Sequence, residues 1–353
     1  MSDKIHLTSF SEDELIELVK EMGQPKYRAG QIFKGLHQRR LRDFEEMTDL
    51  PKDFRGELQE MATATSLKVE SRYLSEDGTR RFLMKTHDGF PVETVFLPTE
   101  NRDTICFSSQ SGCALKCDFC LTARLGLLRN LTRGEIVEQI IIVLNDVYGV
   151  GGETPHGTNL VAMGAGEPLA NFENLTGALE IMASENGLFI VPNRVTVSTV
   201  GIVPKIREFA RLERRPHLAI SLSAPNDELR SRLMPVNLRW NIDELFKAAK
   251  EFELSLRRGE RFTFEYVLLG GVNDLDEHAR ELAGRLKAHE LNKVKINLIP
   301  HNPAEPLPYR PSPPERIESF KRVLESEGIA AYVRRPRGRD IYAACGQLAA
   351  KGF

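Results

Sequence analysis

The first sixty residues carry apolar side chains at helical spacing. Leu15, Leu18 and Val19 lie on one stripe, and Ile32 and Leu36 lie on another, with charged residues between them. Apolar residues that recur at three- and four-residue intervals are typical of short amphipathic helices. We therefore expect a small helical unit over residues 11–61.

The next stretch alternates apolar and polar residues in the manner of β-strands. The alternation covers residues 67–74, 79–86 and 90–97, and the segments between them contain Asp77-Gly78 and Asp88-Gly89. Asp-Gly pairs favour tight hairpin turns because glycine adopts a positive φ without strain. This part of the sequence predicts a three-stranded meander that follows the helices.

From about residue 103 the pattern changes to strand, loop and helix, repeated six times. Candidate strands cover residues 104–109, 158–163, 194–199, 217–222, 261–268 and 293–298, and helical stretches lie between them. Such alternation is typical of a parallel sheet. Six units are fewer than the eight of a closed barrel, so we predict an α/β protein with an open, partial (βα)6 barrel.

The chain is long enough for about two domains, since it has 353 residues. We divide it into an N-terminal accessory domain with the helices and the meander, residues 1–98, and a barrel domain with the C-terminal segment, residues 99–353. In such barrels the loops that leave the C-terminal ends of the strands form the active face. We therefore look for chemistry in these loops.

Composition indicates the compartment of the protein and the kinds of ligand that it could bind. No segment approaches the roughly twenty apolar residues of a membrane span, and the N-terminus lacks the apolar core of a secretion signal. We expect a cytoplasmic protein whose five cysteines are thiols or metal ligands. The net charge is −2, but two basic clusters lie at Lys26–Arg42 and Arg334–Arg339. Each is either a site for a nucleic-acid backbone or an ordinary solvated surface.

Three of the cysteines form a Cys-x3-Cys-x2-Cys motif directly after the first barrel strand, at Cys113, Cys117 and Cys120. Structural zinc is closed by four ligands, and no His or fourth Cys lies at a suitable spacing nearby. Cysteine thiolates are the protein ligands of iron–sulfur clusters, and three of them leave one iron free for a substrate or cofactor. The motif therefore favours a cluster over zinc.

The second barrel strand ends in a glycine-rich turn, Met163-Gly-Ala-Gly-Glu-Pro168. Glycine lets a backbone approach a ligand closely. A Gly-x-Gly turn alone is common in loops, but this one lies at a strand end, on the same face as the cysteine loop. We therefore include the turn in the candidate site.

Several motifs together resemble a known family. The cysteine loop with Phe119 before its last cysteine, followed by a Gly-Glu-Pro turn in a partial barrel, resembles the radical S-adenosylmethionine (SAM) superfamily. Five segments in order resemble the RNA adenine carbon-2 methyltransferases, RlmN and its sister group Cfr: CFSSQSGC (106–113), LRNLTRGE (128–135), MGAGEPL (163–169), NLIPHNP (297–303) and DIYAACGQL (340–348). The resemblance covers essentially the whole chain, and Ile299-Pro300 resembles the RlmN branch more than the Cfr branch.

The resemblance implies two cofactors and their ligands. A [4Fe–4S] cluster would be bound by Cys113, Cys117 and Cys120. SAM would be contacted by a set of residues in the strand-end loops: Gly166, Glu167, Ser198, Ser221, Leu222, Ser223 and Asn302. The family commonly has His in place of Ser223 and Met in place of Ala165, so these two departures concern the SAM pocket.

The resemblance also implies three catalytic residues. Cys345 would carry a methyl group, Cys106 would be its disulfide partner during turnover, and Glu93 would be the proton acceptor. Without the resemblance, the strand pattern indicates a solvent-facing carboxylate for Glu93. Cys106 and Cys345 would then be small apolar core residues.

The chemistry explains why two SAM molecules and two kinds of cysteine are needed. Carbon 2 of adenine is electron-poor and its C–H bond is hardly acidic, so polar methyl transfer to it is not available. A low-potential cluster passes an electron to SAM, and the resulting radical abstracts hydrogen from a methyl group that a thiolate has taken from another SAM. Thiol–disulfide exchange then cuts the link between protein and RNA.

The resemblance implies RNA substrates: a 23S rRNA adenine in the peptidyl-transferase centre and a tRNA adenine beside the anticodon. The target base must be unstacked to reach the cluster, and we expect both basic clusters to flank the barrel opening and hold RNA phosphates. A low-potential electron donor such as a flavodoxin system is implied, and we expect a monomer. Two alternatives are a Cfr-type enzyme that acts at a different carbon of the rRNA adenine and a non-catalytic RNA-binding module held by zinc.

Overall fold

The structure is a computed structural model that describes residues 4–291 and 293–348. In the described residues, its N-terminal unit contains three α-helices and two very short strands that pair in parallel. In chain order these are β1 (Ile5–His6), α1 (Glu12–Glu21), α2 (Tyr27–Phe33), α3 (Lys52–Met61) and β2 (Ala62–Thr63). The predicted helical unit is confirmed.

Helix α1 begins where its sequence supplies a cap. The Ser11 hydroxyl accepts a hydrogen bond from the Glu14 N–H at 3.2 Å, and the Glu14 carboxylate accepts one from the Ser11 N–H at 2.7 Å. This reciprocal pair satisfies N–H groups that the first helical turn leaves free. The predicted stripe with Leu15 and Val19 is buried, as is the stripe of α2.

The meander consists of β3 (Leu67–Leu74), β4 (Arg80–Thr86) and β5 (Pro91–Leu97), paired antiparallel in this order. Both predicted Asp-Gly turns are present. Gly78 and Gly89 have φ values of 81° and 89°, a region that favours glycine over residues with a side chain. The predicted meander is therefore confirmed.

A short hairpin encloses the cysteine loop. After β6 (Asp103–Cys106) comes β7 (Gln110–Gly112), then the cysteine loop with α4 (Leu121–Arg124), and then β8 (Leu127–Asn130), which pairs antiparallel with β7. The apolar pattern did not predict this hairpin, because its two strands have three and four residues. The hairpin fixes both ends of the loop.

From β8 onward, helices and strands alternate. The elements are α5 (Arg133–Tyr148), β9 (Thr158–Ala162), α6 (Phe172–Ala183), β10 (Val195–Thr199), α7 (Val203–Ala210), β11 (His217–Ser221), α8 (Asp227–Leu233), α9 (Ile242–Leu254), β12 (Phe262–Leu268), α10 (Asp276–Ala288), β13 (Lys295–Pro300), α11 (Pro314–Ser326) and β14 (Ala330–Val333). Within the described ranges, none of the helices has the length and apolar character needed to span a bilayer.

Ten strands of the described residues form one sheet in the order β14-β13-β12-β11-β10-β9-β6-β5-β4-β3. The pairs from β6 to β14 are parallel, and the pair β5–β6 and the meander are antiparallel. The meander thus continues the barrel sheet across the expected domain boundary at residue 98. The six predicted βα units are present.

Strand β14 is a seventh parallel strand that the sequence pattern did not indicate. It has four residues, of which only Ala331 is buried, whereas Tyr332 and Val333 are 52% and 39% exposed. Such a short edge strand shows no alternation of apolar and polar residues. Its C-terminal end places Arg334 at the edge of the sheet where the loops of the active face begin.

Glu138 joins the N-terminal part of the chain to the barrel. This carboxylate on α5 is fully buried and accepts hydrogen bonds from the backbone N–H groups of Ser66 and Leu67 at 2.6 and 3.1 Å. Arg42 pairs with the same carboxylate. A buried charge must be paired and hydrogen-bonded to be tolerated, and these contacts fix the first strand of the meander against α5.

His37 makes the stability of the N-terminal unit dependent on pH. It is fully buried against Phe33, both ring nitrogens lack hydrogen-bond partners among the described residues, and burial lowers its pKa to about 3. Because the unfolded chain binds this proton near pH 6.5, stability is retained above that pH and is lost as the pH falls. We expect His37 to account for a loss of about 2 kcal/mol in the free energy of unfolding between pH 7 and pH 5.

The measurement is urea unfolding of the wild type and of His37→Leu at both pH values. The variant should show a smaller difference between pH 7 and pH 5, whereas His156→Leu, which removes an exposed histidine, should behave like the wild type. Equal pH dependence in the wild type and His37→Leu would contradict this account.

Candidate active site

The cysteine loop is held by backbone hydrogen bonds at several points. The Cys113 N–H donates to Gly126 O at 2.8 Å, across the hairpin, and the Asp118 N–H donates to Leu233 O at 2.9 Å. Cys113 and Cys117 are buried and Cys120 is half-buried, and all three are free thiols. The loop therefore presents three thiols from a fixed backbone.

Burial and mutual charge act on these thiols. Desolvation, together with neighbouring Glu167 and Cys120, raises the pKa of Cys113 to about 12. Desolvation also raises the pKa of Cys117 well above its usual value, and the charges of Cys120 and Cys113 add to this. Three thiolates in this space repel one another unless a positive centre lies among them, as in a metal–thiolate site.

The spacing of the three thiols can be compared with that of ligands on a single zinc ion. Thiolates on one tetrahedral zinc, each about 2.3 Å from the metal, lie within about 4 Å of each other. Among the described residues, the group of three possible ligands that lie within 4.8 Å of one another is His87, Asp88 and Glu135, not the three cysteines. The wider separation fits a centre that contains several irons and sulfides.

The glycine-rich turn packs directly on the hairpin. Gly166 has a φ of 103°, and a Cβ atom there would lie 2.6 Å from the Gln110 Cβ and 2.8 Å from the Gln110 N. The Glu167 N–H donates to Gln110 Oε1 at 2.8 Å, and the Glu167 carboxylate accepts from the Val200 N–H at 2.8 Å. Burial raises the pKa of Glu167 to about 7. These bonds fix the loops after β9 and β10 relative to each other.

Two adjoining cavities open at the C-terminal ends of the strands. The first cavity lies among the cysteine loop, the glycine-rich turn and the ends of β10 to β13, and Cys117 and Cys120 are in its wall. The second cavity lies between β5, β6 and the C-terminal segment, and Cys106 is in its wall. Cys120 and Cys345 line both cavities. The two cavities therefore meet beside these two cysteines.

Most residues that were expected to contact SAM line the first cavity, namely Gly166, Glu167, Ser198, Ser221 and Asn302. Leu222 and Ser223 are fully buried and lie outside this lining, so their contact with SAM stays a prediction. The Ser223 hydroxyl instead accepts a hydrogen bond from the Val267 N–H at 3.3 Å. Ala165 is also buried outside the lining, where its N–H donates to Ser108 Oγ.

Cys106 and Cys345 face the second cavity together. Desolvation raises the pKa of Cys106 to about 12, and the charge of Cys345 adds to this. Cys345 is exposed to the cavity, and its carbonyl accepts a hydrogen bond from the Asn302 side chain at 3.1 Å. The alternative in which both cysteines are inert core residues does not fit this exposure of Cys345.

Comparisons with known proteins identify the family of this chain. Residues 5–64 match the model of the ribosomal RNA large subunit methyltransferase N-terminal domain, and residues 107–283 match that of the radical SAM superfamily. A probable dual-specificity RNA methyltransferase RlmN from Koribacter versatilis is 46% identical over 346 residues, which are 94% of this chain and 97% of that protein. The chain belongs to the RlmN family.

Two further relatives of this RlmN-family chain are similar over nearly its whole length. The dual-specificity RNA methyltransferase RlmN 2 of Myxococcus xanthus is 47% identical and covers 99% of the chain, which spans 91% of that protein. The crystal structure of a radical SAM methyltransferase from Sphaerobacter thermophilus has a TM-score of 0.92 and 41% identity, and covers 97% of the chain and 98% of that structure. Membership of the radical SAM superfamily implies a [4Fe–4S] cluster and the use of SAM.

Glu93 does not face solvent as its strand pattern suggests. It is buried and forms an ion pair with Arg81, whose Nε donates to the carboxylate at 2.7 Å. Because strand residues two apart share a face, Glu93 lies on the same face as Val95, which lines the second cavity. Glu93 itself is not in that lining.

Sequence reasoning missed three charged residues of the site. Arg334 lines both cavities, and Glu265 lines the first. Arg230 is fully buried and donates to Val200 O and Ser221 O at 2.7 and 3.1 Å, so it ties together the loops after β10 and β11. Only Arg334 carried a sequence signal, as a member of a basic cluster; the other two are recognised by their partners alone.

The basic cluster Lys26–Arg42 does not flank the barrel opening as expected. Arg40 is 4% exposed and donates to Gly149 O at 3.1 Å, just after the C-terminal end of α5. A barrel helix ends at the edge opposite the active face. Arg42 pairs with buried Glu138, and Arg39 pairs with Asp49 at 2.8 Å. The expectation is therefore wrong for Arg40 and Arg42, which bind within the protein, whereas Arg39 forms a half-exposed pair at the surface.

Gly166→Ala should weaken SAM binding in this RlmN-family protein. The added Cβ must displace Gln110, which holds Glu167, so we expect at least about a tenfold rise in the Kd for SAM, a change of about 1.4 kcal/mol. The measurement is equilibrium dialysis with radiolabelled SAM under anaerobic conditions.

Gly259→Ala is the matched control. Gly259 also has a positive φ, 89°, but a Cβ there would meet nothing within 4 Å. The Gly259→Ala variant therefore has the same kind of backbone strain as Gly166→Ala but no steric contact of the added Cβ. If both variants bound SAM as the wild type does, the glycine-rich turn would not be part of the SAM site.

Proposed function

We propose that this protein methylates carbon 2 of an adenine in 23S rRNA, in the peptidyl-transferase centre, and of an adenine beside the tRNA anticodon. The observation that carries the proposal is the meeting of two cavities at one edge of the sheet. One cavity contains the cysteine loop, and the other contains Cys106 and Cys345. Family membership supports a SAM-dependent RNA methyltransferase of the radical type.

Cys113, Cys117 and Cys120 hold the [4Fe–4S] cluster in this proposal. When bound, the cluster supplies single electrons for the cleavage of SAM. The fixed loop backbone and the separation of the thiols support this assignment. The five lining residues of the first cavity, Gly166, Glu167, Ser198, Ser221 and Asn302, bind and orient SAM.

Cys345 carries the methyl group, because it is the exposed thiol that both cavities reach. Cys106 lies in the same cavity and releases the RNA by attack of its sulfur on Cys345 Sγ. The S–S bond forms as the bond between Cys345 Sγ and the methylene carbon breaks, and the electron pair of that bond stays on the methylene carbon, which takes up a proton to become the methyl group. The resulting Cys106–Cys345 disulfide must then be opened by a reductant. Glu93 accepts the proton from carbon 2. To reach the adenine, the Glu93 carboxylate must give up part of its contact with Arg81 and bind the base instead. The adenine enters the second cavity next to Val95.

The RNA substrates approach the second cavity, whose wall includes Arg334, Arg335 and Arg337. The position of these three arginines in the cavity wall supports a role of the C-terminal basic cluster in RNA binding. Arg335 offers a charge to RNA phosphates, whereas Arg337 pairs with Asp77 and is used within the protein. A low-potential donor such as a flavodoxin system supplies electrons, and the enzyme acts as a cytoplasmic monomer.

Deletion of the gene should remove 2-methyladenosine from 23S rRNA and from tRNA. The wild-type gene should restore it, whereas Cys345→Ala and Cys113→Ala should not, because the former lacks the methyl carrier and the latter lacks a cluster ligand. Nucleoside mass spectrometry of the separated RNA pools is the measurement. Cys345→Ala should still purify with iron and sulfide like the wild type, while Cys113→Ala should lose most of both.

Two results would contradict the proposal. Unchanged 2-methyladenosine in both pools of the deletion strain would exclude the assigned substrates. Loss of an adenosine methylated at another carbon, with 2-methyladenosine unchanged, would indicate the Cfr-type activity instead.

A further inference from the structure

Arg334 lies where the two cavities meet. It is the first residue after β14, and its backbone N–H donates to Leu298 O at 2.9 Å, which fixes it at the C-terminal end of the last strand. Its side chain lines both cavities, as does Cys345. Its Nη1 lies 3.9 Å from Met163 Sδ, and Met163 also lines both cavities, which places the guanidinium beside the space that contains the thiol assigned as methyl carrier.

Glu265 holds Arg334 without neutralising it completely. One carboxylate oxygen, Oε1, accepts hydrogen bonds from Asn297 Nδ2 at 2.7 Å and Thr263 Oγ1 at 3.0 Å. The other, Oε2, is buried, has no hydrogen-bond partner in the part of the chain that the structure describes, and lies 3.7 Å from Arg334 Nη1. This separation is longer than that of a charge-assisted hydrogen bond, so the guanidinium keeps donors for a second anion.

The positive charge of Arg334 acts on both thiols of the second cavity. Desolvation raises the pKa of Cys345, the charge of Arg334 lowers it, and Glu265 and Cys120 raise it. For Cys106, desolvation and the charge of Cys345 raise the pKa, and Arg334 again lowers it. Arg334 is thus the arginine that opposes the effect of burial at both sulfurs.

The other arginines of the C-terminal basic cluster have different surroundings. Arg337 donates to Pro98 O and pairs with Asp77, and Arg339 Nε donates to Asn302 Oδ1 at 2.7 Å. Both hold the C-terminal segment in place. Arg335 is exposed like Arg334, but it lines the second cavity and not the first.

Methyl transfer needs the anion of Cys345, because the thiolate and not the thiol is the nucleophile. The thiol first loses its proton to solvent. Cys345 Sγ then forms a bond to the methyl carbon of SAM, while the carbon–sulfonium bond breaks and its electron pair stays on the departing S-adenosylhomocysteine. No oxidant or reductant takes part in this step.

We propose that Arg334 is a positioning residue that keeps the Cys345 sulfur available as a thiolate for methylation, with Glu265 as the counter-charge that limits this effect. The inference rests on the proposed role of Cys345 as methyl carrier. It assigns Arg334 to the thiol step of the reaction, not to the binding of RNA phosphates.

The test measures the reactivity of Cys345 directly. The chain is synthesised in a cell-free system without added SAM, so that Cys345 begins unmodified, and its cluster is assembled anaerobically. The rate of carbamidomethylation of Cys345 by iodoacetamide is followed from pH 6 to pH 10 by mass spectrometry of the peptide that contains it. A parallel sample receives SAM, and the methylated fraction of the same peptide is measured.

Arg334→Met should slow carbamidomethylation of Cys345 at pH 7.5 roughly tenfold or more, because an adjacent opposite charge shifts a pKa by about one unit or more. The rates of the variant and the wild type should converge at high pH. Arg334→Lys should keep most of the rate, and Glu265→Gln should increase it. Arg335→Met, which removes a neighbouring charge from the same cavity wall, should leave the rate of Cys345 unchanged.

A pH profile of Arg334→Met identical to that of the wild type would overturn the inference, and so would weakened RNA binding with unchanged reactivity of Cys345. Lack of rescue by Arg334→Lys, with the iron content and melting temperature of both variants intact, would also count against it. If SAM failed to methylate Cys345 in the wild type, the proposed function would fail, whatever the carbamidomethylation rates showed. The two failures are therefore distinguishable.

Discussion

The site depends on one set of hydrogen bonds. They hold the C-terminal segment across the opening of the barrel. The Leu121 N–H donates to Gly346 O at 3.0 Å, Thr122 Oγ1 donates to Leu348 O at 2.6 Å, and Asn302 donates to Cys345 O. Buried backbone carbonyls need such partners. Because two of the donors belong to α4, directly after Cys120, the segment places Cys345 beside the cysteine loop and not elsewhere on the barrel.

The meander holds the C-terminal segment from the other side of the second cavity. Arg81 on β4 pairs with Glu93 on β5 and also donates to Ile341 O at 3.1 Å, in the C-terminal segment. Strand β5 is joined to β6, where Val95 pairs with Cys106. One continuous sheet thus brings Cys106, the assigned proton acceptor and the methyl carrier together. On the far side of the meander, buried Glu138 fixes the start of β3 on α5.

Local patterns predicted the helical unit, the meander and the six βα units, because apolar periodicity reports which face of an element is buried. The cysteine motif could also be recognised from the sequence, since its residues are close together in the chain. The sequence could not reveal Glu265, whose partners Asn297 and Arg334 are distant in the chain, or strand β14, which is short and mostly exposed. Arg40 and Arg42 were misassigned for the same reason: charge density alone does not show that Gly149 and Glu138 bind them.

The central claim is that Cys345 links protein to RNA and that Cys106 breaks the link. The most direct test is to purify Cys106→Ala from cells that supply RNA, digest it with trypsin and ribonuclease, and analyse the Cys345 peptide by mass spectrometry. We expect an adenosine-containing nucleotide bound to Cys345 through a methylene group, because the thiol that releases it is missing. A Cys106→Ala protein without bound RNA that still forms 2-methyladenosine at the wild-type rate would contradict the account.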